Sequence, residues 1–96
     1  MTVPPESARY DPLTGLANRH GLSVRLGQAL ANARRRNTTV AVIYCDLDRF
    51  KPINDLYGHD VGDEVLVAVA RRLRATVRAE DLVARHGGDE FVVVCD

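Results

Sequence analysis

The sequence predicts an α+β domain in which helices lie across a largely antiparallel sheet. Three observations carry that expectation: two long stretches with apolar residues at helical spacing, three apolar runs of strand composition, and a Gly-Gly turn between the last two runs. A turn that tight joins antiparallel neighbours. The resulting order is helix, strand, helix, helix, strand, strand, with the helices covering one or both faces of the sheet. The chain carries no internal repeat and no low-complexity segment.

Residues Met1 to Ser7, with Pro4-Pro5, read as a leader, and 1–10 are expected to form a linker ahead of a single domain over 11–96. Asp11-Pro12-Leu13-Thr14-Gly15-Leu16 is a turn-rich entry. Asn18 is placed to cap a helix whose apolar positions are Leu22, Leu26, Ala29, Leu30 and Ala33, and which ends in Arg34-Arg35-Arg36-Asn37. Those arginines complement the helix dipole, which explains them better than a phosphate-binding patch does.

Thr38 to Cys45 is β-branched and almost continuously apolar, as a central strand covered on both faces is expected to be, and it runs directly into Asp46-Leu47-Asp48. Phe50 to Leu56 forms a short helical segment that tolerates Pro52 in its first turn, and Tyr57-Gly58-His59-Asp60 breaks it. A second long helix follows, with the stripe Val61, Val65, Val69, Leu73 and Val77 facing inward and Arg71, Arg72, Arg74 and Arg78 on solvated faces. Asp81 closes this region. Leu82-Val83-Ala84 and Phe91 to Cys95 are then the two arms of a hairpin whose glycines are expected to turn through backbone conformations closed to other residues. The chain stops at Asp96, directly after a very apolar strand, so either another chain protects the sheet edge or the sequence is a fragment.

Composition limits the function classes. Thirteen basic residues balance thirteen acidic ones among 96, so the overall positive field that a nucleic-acid polymer attracts is missing, and any nucleotide must be held locally. The longest uncharged run, Asn37 to Cys45, is too short to span a bilayer, and the N-terminus has no apolar signal core; the expected location is the cytoplasm, with no direct membrane contact. Cys45 and Cys95 lie inside apolar runs at no metal-ligand spacing and are expected to be buried thiols.

Charge gathers at the C-terminal end of the first strand and at the hairpin tip. Asp46, Asp89 and Glu90 are expected to converge at one end of the sheet, where oxygen ligands suit Mg²⁺ together with substrate phosphates and water. That outlines a phosphoryl- or nucleotidyl-transfer site. Adjacent side chains of an extended segment point to opposite faces, so of Asp89 and Glu90 one is expected to ligate metal while the other orients or deprotonates a nucleophile. Taken alone, Gly-Gly-Asp-Glu is also an ordinary set of turn formers.

Four motifs in one order decide between those readings: Asp11 to Arg19 (DPLTGLANR), Asp46 to Asp55 (DLDRFKPIND), Tyr57 to Asp63 (YGHDVGD) and Arg85 to Phe91 (RHGGDEF). Together they closely resemble the GGDEF family of diguanylate cyclases, from about Asp11 to the last residue. The resemblance implies a palm-like, ferredoxin-type domain similar to nucleotide cyclases, and a reaction joining two GTP molecules into cyclic di-GMP with release of two pyrophosphates. It also implies a homodimer, since each domain holds one GTP, and Mg²⁺ or Mn²⁺ as the metal.

Carried over by position, Asp46 resembles the strand-end metal ligand, assisted by the Leu47 backbone carbonyl. Asp89 resembles the hairpin acid needed for metal binding and catalysis, with Glu90 beside it. Asn54 and Asp63 resemble the pair that recognises the guanine edge. Phe50 and Lys51 lie near the nucleotide in the family, although Phe50 equally suits the core, and Gly87 and Gly88 would let phosphate approach the backbone. Arg78-Ala79-Glu80-Asp81, ahead of Gly87 by five residues, matches the family's inhibitory site, which implies that Arg78 and Asp81 bind product cyclic di-GMP. A helix-end ion pair has the same pattern. His59 and His86 are read as structural, and His20 carries no functional signal.

Family members continue past the last strand, with basic residues that hold the triphosphate, so the 96 residues are expected to be the N-terminal majority of the domain. Two other readings stay open: a non-catalytic GTP or cyclic di-GMP binding domain, and an interaction fragment that associates through its sheet edge.

Overall fold

The computed structural model describes residues 6–48 and 50–96, and the expectation of an α+β fold is met. A 3₁₀ turn at Glu6–Arg9 leads into α1 (Arg19–Arg36), β1 (Ala41–Asp46), α2 (Phe50–Tyr57), α3 (His59–Thr76), β2 (Leu82–Arg85) and β3 (Glu90–Cys95). Every pairing in the three-stranded sheet is antiparallel, and the strand order is β1-β3-β2.

Alternation along β3 divides the core into two layers. Phe91 and Val93 join Val83, Leu66, Ala70 and Leu16 beneath α3, whereas Val92 and Val94 join Ala84, Ala17, Leu22 and Ala29 beneath α1. Phe91 and Ala84 are wholly buried. β3, with four consecutive buried residues, is therefore the strand covered on both faces.

The first apolar run is placed differently among the described residues. β1 begins at Ala41 rather than Thr38 and, among the described residues, has β3 as its one strand neighbour, with Val42, Ile43 and Tyr44 each about half exposed. Here α1 and α3 sit over β2 and β3.

The helices shift in detail. In α1, Asn18 caps as expected: its Oδ1 accepts from the Gly21 N–H at 2.9 Å, and Leu22, Ala29 and Ala33 are buried, but Leu30 is exposed. In α3 the buried line is Gly62, Leu66 and Ala70. Steps of four residues drift by about 40° each around a helix, so the valine series spirals. Val69, Leu73 and Val77 reach the core, while Val61 at its start is exposed. Cys45 and Cys95 carry free thiols that are half-buried rather than buried. Among the described residues no helix is long and apolar enough to cross a membrane.

The entry segment is tied to the domain. The Asn18 N–H and Nδ2 donate to the Arg9 and Ala8 carbonyls at 2.8 and 2.6 Å, and the Arg85 N–H donates to the Ala17 carbonyl at 2.8 Å. Ala17 thereby pairs alongside Ala84 and occupies the outer edge of β2.

Candidate active site

The β2–β3 hairpin closes through hydrogen bonds from the His86 and Gly87 N–H groups to the Glu90 carbonyl, at 2.8 and 3.4 Å. Neither Gly87 nor Gly88 adopts positive φ, so the glycines serve a different purpose from the one the turn chemistry suggested. At Gly87 a β-carbon would collide with the Glu90 carboxylate, so the missing side chain makes room for that acid. At Gly88 no atom lies within 4 Å of where a β-carbon would stand, leaving an exposed, open stretch of backbone beside the acids.

Arg85 braces this turn. Its Nη2 and Nε donate to the Gly88 carbonyl at 2.9 and 3.2 Å, and its Nη1 pairs with Asp11 Oδ1 at 3.2 Å. Asp11 also accepts from the Thr14 N–H and hydroxyl at 2.8 and 2.7 Å. Burial, the largest single influence on the Asp11 carboxyl, pushes its pKa up, but the Thr14 hydrogen bonds and the Arg85 cation together outweigh it and hold the group below its ordinary value. The entry turn and the hairpin are thus one unit. Both motifs are legible in the sequence but this link is not, because its only sequence signal is opposite charge 74 residues apart.

Register places two of the three predicted acids opposite each other. Asp46 pairs with Glu90 at the last rung of the β1–β3 ladder, and the Leu47 N–H donates to the Asp89 carbonyl at 3.1 Å. Asp89 lies one residue beyond the ladder, in the turn. The expected three-carboxylate cluster is not formed: among the described residues no three His, Cys, Asp or Glu side chains gather as a metal-holding group. Two acidic residues paired on one rung still fit Mg²⁺, which commonly takes one or two carboxylates from a protein and completes its shell with phosphate and water.

Tyr44 is a second residue that sequence reading missed. It lies two positions before Asp46 on the same face of β1, and its hydroxyl donates to Glu90 Oε2 at 2.5 Å. The same oxygen lies 3.2 Å from His86 Nδ1. The Tyr44 phenol is held above its ordinary pKa, chiefly by its bond to Glu90, then by partial desolvation and the negative charges of Glu90 and Asp46.

The nucleotide-recognition candidates sit on α2 and α3. Asn54 packs its carboxamide against Gly62, where a β-carbon would overlap Asn54 Oδ1, and Asn54 Nδ2 lies 2.9 Å from His59 Nδ1. The ring of Phe50 meets the same glycine and packs against the core, whereas Lys51 is exposed. Asp63, the next residue of α3, faces a shallow groove with Leu13, Val67 and Arg71.

Arg78 and Asp81 pair directly. Asp81 Oδ2 accepts from the Arg78 N–H at 2.9 Å and from its Nε at 3.4 Å. The Asp81 side chain is only 5% exposed while that of Arg78 is 63% exposed. The Arg78 backbone N–H and then its guanidinium hold the Asp81 pKa below its ordinary value.

The family model for the diguanylate cyclase GGDEF domain matches residues 8–96. The chain belongs to the GGDEF family. Over 89 residues this GGDEF chain is 52% identical to the bifunctional diguanylate cyclase/cyclic di-GMP phosphodiesterase MucR of Pseudomonas aeruginosa, covering 93% of the chain and 13% of MucR. It is 45% identical to the probable diguanylate cyclase DgcC of Escherichia coli, covering 88% of the chain and 23% of DgcC. Among solved structures, the isolated GGDEF domain of P. aeruginosa TpbB superposes with a TM-score of 0.85 at 50% identity, over 88% of this chain and 49% of that one. The GGDEF domain of DgcB from Caulobacter crescentus, in complex with cyclic di-GMP, gives 0.88 at 35% identity, over 99% and 54%. The chain therefore spans about half of these GGDEF structures and a much smaller part of the curated relatives.

Proposed function

We propose that this GGDEF domain binds GTP with Mg²⁺ or Mn²⁺ at the β1–β3 ladder end and, as a homodimer, joins two GTP molecules into cyclic di-GMP. The observation that carries the reading is the Asp46–Glu90 pair on the last rung, beside the open backbone of Gly88, in a chain of this family. In each half-reaction the 3′-hydroxyl oxygen of one GTP bonds to the α-phosphorus of the other, and pyrophosphate leaves with the electrons of the broken bond. The hydroxyl proton passes to a hairpin carboxylate, Asp89 or Glu90. A bound metal supplies positive charge that stabilises the phosphorus centre and the leaving group.

Asp46, Glu90 and Asp89, with the Leu47 carbonyl, would hold the metal. Asn54 and Asp63 read the guanine edge, Phe50 and Lys51 flank the nucleotide, and the Gly87–Gly88 backbone admits phosphate. The exposed guanidinium of Arg78, set in place by Asp81, is the product-inhibition site. The substrate assigns the domain to the cytoplasm.

Incubating the protein with GTP and Mg²⁺ and separating nucleotides by chromatography tests the reading. Cyclic di-GMP is expected, and Asp46→Ala and Asp89→Ala are expected to abolish it; product that survives Asp89→Ala refutes the site. A second reading, cyclic di-GMP binding without catalysis, is favoured by the 50% identity to a P. aeruginosa protein named as a phosphodiesterase, NbdA. The turnover assay separates the two: both readings predict cyclic di-GMP binding that is lost in Arg78→Ala, but the second predicts no turnover of GTP.

A further inference from the structure

We propose that Tyr44 is a positioning residue for Glu90, acting through a hydrogen-bond chain that starts at His86. The proposal rests on the reading that Asp46 and Glu90 form a metal site. A phenol carries one proton, and the hydroxyl of Tyr44 lies 2.5 Å from Glu90 Oε2 and 3.2 Å from His86 Nδ1. An ionised carboxylate only accepts, so the phenol proton belongs to the Glu90 bond. Its oxygen must then receive a proton donated by His86, which puts that ring in the Nδ1–H tautomer. The order of donation is His86 Nδ1–H to Tyr44 hydroxyl to Glu90 carboxylate.

Other contacts hold each member in place. The two rings meet edge to face, 5.7 Å between centroids at 67°. The His86 N–H donates to the Glu90 carbonyl at 2.8 Å, and Arg19 Nη2 donates to the His86 carbonyl at 3.4 Å. The other Glu90 oxygen, Oε1, lies over the missing side chain of Gly87. Glu90 is thus gripped at Oε2 and confined at Oε1, on the same face of the ladder as Asp46. A carboxylate has about four lone-pair sites, so the bond to Tyr44 leaves acceptor capacity for a cation while it fixes the direction in which the group presents it. Partners of this kind, one bond behind a ligand, typically change metal affinity by about 10–100-fold when removed.

The test is Mn²⁺ titration of the chain without nucleotide, following unbound Mn²⁺ by electron paramagnetic resonance, together with ¹⁵N NMR of the His86 ring at a pH where it is neutral. Tyr44 is 53% exposed, so Tyr44→Phe leaves the packing intact. Tyr44→Phe is expected to weaken Mn²⁺ binding by about 10–100-fold and to release His86 from the Nδ1–H tautomer seen in the unmodified protein. His86→Asn, whose amide can donate in place of Nδ1–H, is expected to stay near the unmodified affinity, and His86→Leu to follow Tyr44→Phe. Binding in Tyr44→Phe that is unchanged or tighter, while Asp46→Ala has lost it, overturns the proposal and leaves the metal reading standing. A ring protonated at Nε2 in the unmodified protein also overturns it. If the unmodified protein and Asp46→Ala do not differ, the metal reading has failed and the positioning role falls with it.

Discussion

Replacing Asp11 with alanine removes the carboxylate that ties the entry turn to the hairpin. The side chain accepts at 2.8 and 2.7 Å from Thr14 and at 3.2 Å from Arg85, and the side chains of Asp11 and Arg85 are only 15% and 18% exposed. Hydrogen bonds to a charged group are worth about 1.5–3 kcal/mol each, and breaking a fully buried pair costs about 3–5 kcal/mol. Two features lower the figure here. Water reaches the edge of the site, and Arg85 keeps its bonds to the Gly88 carbonyl. The net loss is expected to be about 2–3 kcal/mol, or about 10–20 °C in Tm for a domain of this size. Asp11→Asn retains an accepting oxygen and is expected to lose clearly less. Urea unfolding of Asp11→Ala, Arg85→Ala and the double variant measures both the loss and the coupling, which is expected to be about 1–2 kcal/mol. A loss under about 0.5 kcal/mol, the range of an ordinary surface substitution, or additive single effects would refute the bracing role.

Three further outcomes follow from the site. Gly87→Ala sets a β-carbon against the Glu90 carboxylate without demanding a forbidden φ, so Mn²⁺ affinity is expected to fall while stability changes by less than about 1 kcal/mol; affinity equal to that of the unmodified protein would separate Glu90 from the metal. Gly62→Ala lies inside α3, where alanine normally gains about 1 kcal/mol, but here it overlaps Asn54 and is expected to weaken GTP binding in calorimetry. Full GTP affinity in that variant would remove Asn54 from guanine recognition. Asp11 and Asp81 are both held below the ordinary value of 3.8, so their stabilisation is fully present above that pH and is lost as pH falls through their lower folded values. Unfolding midpoints in acid are expected to fall below that point, and less steeply in Asp11→Asn and Asp81→Asn; parallel curves for all three proteins would contradict the assignment.

Local chemistry determined much of this protein from sequence alone. Asn18 capping α1, Pro52 in the first turn of α2 and the Gly-Gly hairpin each depend on residues within a turn of one another, and a linear reading captures such contacts. The family motifs also named Asp46, Asn54 and Glu90, which the structure sets at the ladder end and the α2–α3 contact. Tertiary structure alone decided that, among the described residues, β3 lies between the other two strands and takes both layers of helix. It also decided which acids share a rung, since pairing register puts Glu90 opposite Asp46 and leaves Asp89 in the turn. The links from Tyr44 to Glu90 and from Arg85 to Asp11 cross 46 and 74 residues. No periodicity records contacts at that range, because they depend on how whole elements dock, and docking follows from burying Phe91 and its neighbours rather than from the residues that meet at the rim.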